Sequence, residues 1–290
     1  MANPRALDKR RKSIKNIRKI TRTMELIATA RFKKAMDRAS AATAYTNRIT
    51  QLVRDLATTG LEVSHPLLEA RDEPKNATML LLTANRGLCG GFNGNLIRAG
   101  LRAWADLQAG VPNCRLEIAG KRGIAGFRFR GNVPDEEFTH FHDRPAFDEV
   151  DVIAERYLQN YVAGRLDKLV VVYMKFESIS RQSVAIETLL PLGSLAGETS
   201  ESAGASQYEF LPSPASILEE VVPTSFKVKL FKCFLDSAVS EQIARMTAMK
   251  SATENADELI KHLSMQYNRA RQGRITSELM DLIGGVEALN

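Results

Sequence analysis

A glycine-rich segment is the first place where this chain could do chemistry. Gly87-Leu88-Cys89-Gly90-Gly91-Phe92-Asn93 follows a predicted strand and precedes a predicted helix, the position at which backbone N–H groups commonly hold phosphate. The segment matches neither GxGxxG nor GxxxxGK[ST], and Gly120-Lys121 lacks the earlier glycine and the following Ser or Thr. We therefore interpret it as a tight turn with several residues at positive φ, and keep a nucleotide-binding enzyme as an alternative.

Histidine and cysteine patterns indicate neither a metal site nor a redox site. His140 and His142 would share one face of a strand, but no third ligand stands at a suitable spacing, so we expect a partly exposed strand edge. Cys89, Cys114 and Cys233 form no CxxC motif and are predicted to be reduced thiols. Since HExxH, GxSxG and paired-carboxylate motifs are also missing, we expect no catalytic residue, no metal and no cofactor.

The N-terminal segment carries a concentrated positive charge. The net charge is +6, yet residues 1–60 hold 15 Lys and Arg against four acidic residues, a balance of +11 that leaves −5 for the remainder. Residues 9–22 include eight basic residues, among them Lys9, Arg10, Arg11 and Lys12, and no acidic one. Such a cluster repels itself unless an acidic partner lies nearby. Nucleic acid, anionic lipid and an acidic protein surface are the candidate partners.

Two very long helices must position this charge. No Gly or Pro occurs between Pro4 and Gly60, or between Pro223 and Gly273. At about 1.5 Å per residue, the first helix alone would reach roughly 80 Å. Apolar residues recur at spacings of three, four and seven, as in a coiled-coil seam. They are Leu7, Ile14, Ile17, Met24 and Ala28. A stripe dominated by small residues continues at Ala35, Ala39, Ala42 and Leu52, and on the second helix helical spacing is kept by Ile243, Met246, Leu259, Leu263 and Tyr267.

Between the two helices, short strands alternate with helices, which indicates an α/β layer with a largely parallel sheet. The strands are predicted over 77–83, 115–119, 137–141, 168–176 and 183–190, and the helices over 95–108, 123–129 and 147–161. The Gly-, Ser- and Ala-rich stretch 193–207 is predicted to be a mobile loop. There is no apolar run of about 18 residues that would cross a membrane.

The predicted fold is an antiparallel coiled coil of the N- and C-terminal helices with an inserted Rossmann-like α/β domain. The antiparallel arrangement follows from the order of elements, because the ends can meet only if the middle of the chain is an insertion. We expect an N-terminal shaft helix over residues 1–60, the inserted domain over 61–211 and a C-terminal shaft helix over 212–290.

Blocks of residues along the whole chain carry a resemblance to a known family. They are Ile14-Lys15-Asn16-Ile17, Met24-Glu25-Leu26-Ile27-Ala28, Arg86-Gly87-Leu88-Cys89-Gly90-Gly91, Ala244-Arg245-Met246, Ala248-Met249-Lys250, Tyr267-Asn268, Ala270-Arg271-Gln272, Ile275-Thr276 and Ile283-Gly284-Gly285. With these blocks the chain resembles the γ subunit of rotary F-type ATP synthase, the central rotor shaft. The cysteine-bearing regulatory insert of plant-type members is not evident.

The resemblance implies a rotor with no catalytic site of its own. The coiled coil would sit within a head of α and β subunits, and the foot would rest on the ε subunit and the membrane c-ring. Proton flow would turn the ring, and an asymmetric shaft would bias each β subunit in turn, which is how differential contacts shift conformations. The chain would lie at the cytoplasmic face of the cell inner membrane, contacting the membrane only through the complex. A basic coiled-coil protein that binds nucleic acid is the alternative.

Roles for individual residues follow from the same resemblance. Met24 would pass the acidic lower rim of the β subunits, with seam packing as the competing role. The basic cluster of residues 9–22 would complement acidic β surface. Arg245 and Gln272 match positions that meet β loops through hydrogen bonds, and Thr276 lies one turn beyond Gln272 on the same helix face.

The C-terminal tail would serve as a bearing. Residues 279–289 are largely apolar, and low polarity suits a tip that turns inside a sleeve, because strong directed bonds would hold one angle. Gly273 is expected to weaken the helix before this tip by about 1 kcal/mol.

Overall fold

The computed structural model describes residues 4–58, 66–68, 71, 73–141, 144–192 and 214–287. The helices are α1 (Pro4–Thr58), α2 (Phe92–Gly110), α3 (Lys121–Arg128), α4 (Phe147–Val162) and α5 (Pro214–Glu287). The strands are β1 (Asn76–Leu82), β2 (Asn113–Ala119), β3 (Glu136–Phe138), β4 (Lys168–Phe176) and β5 (Gln182–Leu190). The predicted loop 193–207 lies outside the described residues.

The strands form one sheet in the order β3-β2-β1-β4-β5. β1 pairs in parallel with β2 on one side and β4 on the other, so that Leu81 stands opposite Ile118 and Val172. β3 extends the parallel part, and β5 returns antiparallel beside β4. Since side chains alternate across a strand, the apolar run of β1 is buried on both faces of the sheet, which is the reason for its continuous hydrophobic sequence.

Helices cover both faces of this sheet. On one face, α2 and α3 pack on Met79 and Leu81 through side chains that include Trp104 and Phe127. On the other face, Leu80 and Leu82 contact α4 and the first part of α5. The result is a three-layer α/β arrangement, and the predicted fold class of an α/β domain with long terminal helices is confirmed.

The chain divides into two compact units, one of Ala30–Ala244 and one of Met1–Thr29 with Arg245–Asn290. Helices α1 and α5 contribute to both. In the first unit, the small residues Ala35 and Ala39 of α1 pack against Leu235, Val239 and Ile243 of α5. Small side chains allow two helix backbones to approach closely, and the alanine stripe of the sequence does this here.

A charged cluster ties β2 and β3 to α4. Glu117 of β2 is 2% exposed and accepts hydrogen bonds of 2.6 Å from both the Arg156 guanidinium and the Tyr157 hydroxyl. Arg156 also pairs with Glu136 of β3. Burial raises the pKa of Glu117, while Tyr157 and Arg156 oppose that rise. Because every charge in the cluster has a partner, its role is structural.

The third predicted strand is too long. β3 ends at Phe138, and the His140 ring lies beyond it, packed against the rings of Phe138 and Phe141. Phe138 and Phe141 are both buried in the core on this side of the sheet, although only Phe138 belongs to the strand. His142 lies outside the described residues.

Candidate functional site

The unit of residues 4–29 and 245–287 contains every residue that the sequence analysis assigned to partner binding. In it α1 and α5 pack antiparallel, because residue numbers fall on α5 as they rise on α1 along the contacts. The contacts are the Arg11 guanidinium over the Tyr267 ring at 4.8 Å, the Arg18–Asp257 ion pair, and the Thr21 and Thr253 hydroxyl oxygens 2.9 Å apart.

The α5 side of the seam has a regular coiled-coil spacing. A series of its buried and half-buried residues is spaced alternately by three and four: Met246, Met249, Thr253, Ala256, Ile260, Leu263, Tyr267 and Ala270. Leu259, one of the apolar residues at helical spacing in the sequence, is 49% exposed and lies outside the seam. Its neighbour Ile260 takes the position. With two adjacent apolar residues, the spacing alone did not decide which one faces α1.

The α1 side of the seam is half polar. One heptad position carries Leu7, Ile14, Thr21 and Ala28, and the other carries Arg11, Arg18 and Glu25. Ile17, predicted to lie in the seam, is 49% exposed, and the adjacent Arg18, whose side chain is 46% exposed, pairs with Asp257 of α5. Apolar patterning could not reveal a seam position that is filled by charge.

A second apolar stripe therefore stands on the outside of α1. Ile17, Ile20 and Ile27 are all exposed, and Met24, which is half-buried, lies between this stripe and the seam. The spacings of three and four place these residues on one helix face. An exposed apolar stripe of this kind marks a surface that contacts another molecule.

Only part of the basic cluster is neutralised within the chain. Arg11 and Lys12 pair with Asp8 at 2.6 and 3.0 Å, and Lys12 and Arg11 together hold the pKa of Asp8 below its usual value. In the part of the chain that the structure describes, four exposed cations of the cluster have no carboxylate partner: Lys9, Arg10, Lys15 and Lys19. The exposed surface of α1 therefore carries strong positive charge in this region.

The three residues of α5 that were predicted to bind partners, Arg245, Gln272 and Thr276, do not form one cluster. Gln272 and Thr276 are exposed and adjacent, and the Thr276 hydroxyl donates a hydrogen bond of 3.1 Å to the backbone oxygen of Gln272. Arg245 is half-buried and lies 27 residues earlier, about 40 Å along the helix. Any contacts they make with partners must belong to two separate levels of the helix pair.

Sequence reasoning missed a cleft beside Gln272. It has a volume of about 390 Å³ and is lined by Pro4, Arg5, Asp8, Tyr267, Arg271, Arg274, Ile275 and Glu278. Arg274 pairs with Glu278 at 2.7 Å. The arginines around Gln272 were a visible signal, but only the fold shows that they meet the start of α1.

The C-terminal part of α5 is helical through Gly273 and as far as Glu287, so the glycine does not end the helix. The apolar residues predicted to form a tip are exposed here, Leu279, Met280, Leu282 and Ile283 among them. Residues 288–290 lie outside the described part.

The carboxyl ends of β1 and β2, where α/β proteins commonly bind nucleotides, are filled by the chain itself. The N–H groups at the start of α3 donate to Asn85 Oδ1, the Ala84 carbonyl oxygen and Thr83 Oγ1, at 2.9–3.1 Å. The cavity that remains is about 40 Å³, far below the several hundred Å³ of a ligand pocket. In the glycine-rich turn, Leu88 and Gly90 have positive φ of 63° and 54°, as a tight turn requires. The geometry therefore disfavours the nucleotide-binding alternative.

The described histidines, cysteines and carboxylates form no metal or disulfide site. Among the described residues, no group of three or more His, Cys, Asp or Glu is arranged to hold a metal ion, and no disulfide forms. Burial raises the pKa of the Cys233 thiol to about 12. None of the helices in the described ranges is both long and apolar enough to cross a membrane.

Comparisons with known proteins agree along the whole chain. A family model described as ATP synthase matches residues 3–289. The ATP synthase gamma chain of Rhodopirellula baltica is 61% identical over 100% of this chain and 99% of its own length. The ATP synthase gamma chain of Chlorobaculum tepidum is 36% identical, covering 97% of this chain and 96% of its own.

Solved structures show the same fold. A chain of the Euglena gracilis mitochondrial ATP synthase, in a structure described as OSCP/F1/c-ring in rotational state 3, aligns with a TM-score of 0.67 at 19% identity, over 99% of this chain and 94% of that one. A chain of the Tetrahymena thermophila mitochondrial ATP synthase, described as central stalk/c-ring, gives 0.59 at 17% identity, over 80% and 99%. Together with the full-length sequence matches, these results show that the chain belongs to the family of ATP synthase γ chains.

Proposed function

We propose that this chain, a non-catalytic subunit of ATP synthase and its central rotor stalk, transmits torque through the helix pair of residues 4–29 and 245–287. The observation that carries the proposal is the unequal surface of α1. One face is the seam, another carries exposed isoleucines, and the cations Lys9, Arg10, Lys15 and Lys19 add positive charge. A shaft with different faces makes different contacts at each angle, and only differential contacts can shift a conformational equilibrium.

The partners are the α and β subunits of the catalytic head, the ε subunit and the membrane c-ring. The structural neighbours support this, because they come from assemblies described by their F1, central stalk and c-ring parts. The terminal helices, over 1–60 and 212–290, form the shaft, and the inserted domain of 61–211 forms a foot on the ring and ε. The chain lies at the cytoplasmic face of the inner membrane and reaches the membrane only through the complex.

Within the helix pair, residues act at two levels. Met24 and Arg245 contact the head at one level, Met24 at its lower rim. Lys9, Arg10, Arg11 and Lys12 lie farther along the pair, near the level of Tyr267, and attract acidic β surface there. Gln272 and Thr276 contact loops of the β subunits farther along α5. Two observations support these roles: the outward position of Gln272 and Thr276, and the place of Met24 between the seam and the exposed isoleucines.

Charge reversal in the native complex tests the proposal. Lys15→Glu with Lys19→Glu should lower proton pumping per ATP hydrolysed in membrane vesicles, because both cations are exposed and without a carboxylate partner in the described part of the chain. The matched control is Arg102→Glu with Arg115→Glu, which makes the same change of charge at exposed sites of the inserted domain.

Two outcomes would contradict the proposal. If Lys15→Glu with Lys19→Glu pumps as many protons per ATP hydrolysed as the wild type, these cations only keep the helix solvated. Isolation of the chain with nucleic acid, and without α and β subunits, would favour the nucleic-acid-binding alternative, which nothing in the comparisons supports.

A further inference from the structure

Helix α1 has few contacts that fix its position along α5. In the described residues, α1 contributes to just one of the three apolar clusters, the one in which Ala35 and Ala39 pack against α5. Small side chains of this kind allow close approach, but they do not interlock deeply with the opposite helix. An apolar seam alone therefore leaves the register of the two helices weakly specified, and polar residues at seam positions commonly specify it.

In the unit of residues 4–29 and 245–287, polar side chains join the two helices. Arg18 of α1 pairs with Asp257 of α5, and each side chain is a little less than half exposed. One turn from this pair, the Thr21 and Thr253 hydroxyl oxygens are 2.9 Å apart. Both contacts form only when Arg18 and Asp257 lie at the same level, so they define one register of α1 on α5.

The charges around Arg18 and Asp257 disfavour the neighbouring registers. Residues seven apart take equivalent places in a coiled coil, so a shift by one heptad, about 10 Å, exchanges the partners of each pair. In one direction Arg18 would meet Lys250, seven residues before Asp257. In the other direction Asp257 would meet Glu25, seven residues after Arg18. Like charges repel across either contact, whereas in the observed register Arg18 meets an opposite charge.

Arg11 favours the same register. Its guanidinium lies 4.8 Å from the centre of the Tyr267 ring, which is a cation–π distance. The first of the two shifts would let Arg11 approach Asp257. It would also take Arg11 from the Tyr267 ring to the aliphatic Ile260, and the second shift would bring Arg11 to Arg274. Each alternative register therefore loses a favourable contact and gains a like-charge one.

We propose that Arg18 and Asp257 are positioning residues, which fix the register of α1 on α5 and thereby the level of Met24 relative to Arg245. The inference rests on the proposed function, in which Met24 and Arg245 contact the head at one level. A shift by one heptad would move Met24 by about 10 Å relative to Arg245. Because exposed ion pairs contribute little to stability, we assign the pair a role in position and not in holding the fold together.

Disulfide trapping in the purified, intact ATP synthase tests the register. Thr21→Cys with Thr253→Cys reports the observed register, and Thr21→Cys with Ile260→Cys reports the register shifted by one heptad. Asp257→Lys sets like charges opposite each other in the observed register, whereas the shifted register would place the new ammonium group opposite Glu25. On oxidation we therefore expect this variant to lower the yield of the first disulfide several-fold and to raise that of the second.

Control variants separate position from net charge and from stability. Glu258→Lys makes the same change of charge at the next residue, which is exposed, and should leave both disulfide yields unchanged. Asp257→Asn removes the attraction without adding repulsion and should give both disulfides. Without introduced cysteines, Asp257→Lys should lose most of its proton pumping per ATP hydrolysed, while the midpoint of thermal unfolding of the chain changes by less than about 4 °C. Asp257→Glu keeps the charge and should retain the pumping.

The outcomes separate this inference from the function on which it rests. An undiminished disulfide between positions 21 and 253 in Asp257→Lys, or an equal shift in Glu258→Lys, would overturn the inference alone. Normal pumping by a variant whose disulfides have shifted would overturn the positioning role. If Asp257→Lys does not assemble, Asp257→Asn decides, and formation of the first disulfide alone in that variant would overturn the inference. A chain that does not co-purify with α and β subunits would overturn the proposed function, whatever its disulfides.

Discussion

Thr21 of α1 and Thr253 of α5 face each other across the helix pair, with 2.9 Å between their hydroxyl oxygens. The Thr253 hydroxyl also lies 2.8 Å from the Met249 carbonyl oxygen, and that of Thr21 lies 3.1 Å from the Arg18 carbonyl oxygen. Each hydroxyl thus has an acceptor within its own helix. The pair places polar groups at a seam position that coiled coils usually fill with apolar side chains.

Replacing both threonines by valine should stabilise the helix pair. Removal of both partners by groups of similar shape leaves no buried donor or acceptor unsatisfied, and it adds apolar contact. Thr21→Val with Thr253→Val should raise the midpoint of thermal unfolding, followed by circular dichroism at 222 nm. Thr23→Val is the control, since Thr23 is exposed and bonds only to the Lys19 carbonyl oxygen. A double variant less stable than the wild type, but by less than the sum of the two single losses, would show that the hydroxyl pair is itself stabilising.

The regular parts of the fold could be predicted because local pattern decides them. The predicted span of β4 matches the structure, and that of β1 is offset by one residue, since a continuous apolar run between polar residues has few alternatives. The spacing of small residues also indicated the contact of Ala35 and Ala39 with α5. The hydrogen bonds that Thr83 and Asn85 accept at the carboxyl end of β1 could not be predicted, because their donors in α3 are more than 30 residues away in the sequence.

The charged positions of the seam could not be predicted from the sequence for a different reason. Hydrophobic periodicity assigns Ile17 to the seam, because the pattern of apolar residues does not show that the adjacent Arg18 pairs with Asp257 of the other helix. Sequence patterns identify an element's own apolar face, and the partner chosen by a polar side chain depends on the fold.

Asp167 should be a major source of stability in the α/β unit. Its carboxylate is 5% exposed, accepts the backbone N–H groups of Asn76 and Lys75 at 2.8 and 2.9 Å, and pairs with Arg71. Asp167→Asn should lower the free energy of unfolding by about 2–3 kcal/mol at neutral pH. Urea titration followed by fluorescence of Trp104, the one tryptophan of the chain, measures this, with the exposed Glu73→Gln as control.

The same variant has a predicted pH dependence. Burial alone would raise the pKa of Asp167, but the bonds from Asn76, Lys75 and Arg71 lower it overall. A carboxyl with a lowered folded-state pKa stabilises the fold above its unfolded pKa of about 3.9, and this stabilisation is lost as the pH falls through the folded value. The difference between wild type and Asp167→Asn should therefore shrink below about pH 4. A constant difference down to pH 2 would assign the effect to packing.

Alanine substitutions at Gly120 and Gly131 can separate the effect of a positive φ from the effect of a Cβ that clashes with a neighbouring strand. Both have positive φ, 99° and 80°. A Cβ at Gly120 would lie 2.1 Å from the Thr83 carbonyl oxygen, whereas one at Gly131 would meet nothing within 4 Å. Gly131→Ala should cost about 1–2 kcal/mol, from φ alone, and Gly120→Ala at least about 2 kcal/mol more, because strand and helix must separate. Equal losses in urea titrations of the two variants would contradict the packing seen at the end of β1.

Leu88 is the one described non-glycine residue with positive φ, at 63°, and its side chain is 60% exposed. Such a conformation costs a leucine about 1–2 kcal/mol, and strain of this kind concentrates at functional positions. In Leu88→Gly, relief of strain is opposed by the greater freedom of the unfolded chain, so the free energy of unfolding should change by less than about 1 kcal/mol.

If the exposed Leu88 side chain contacts a partner, Leu88→Gly should lower the yield of the assembled complex although the chain itself remains as stable. Val133→Gly is the control: Val133 is also an exposed apolar residue in a connecting segment, but its φ is not positive. Gel filtration of the assembled complex and Trp104 fluorescence of the chain separate assembly from stability. Normal assembly of Leu88→Gly, with stability raised by more than about 1 kcal/mol, would mean that the strain at this turn serves no contact.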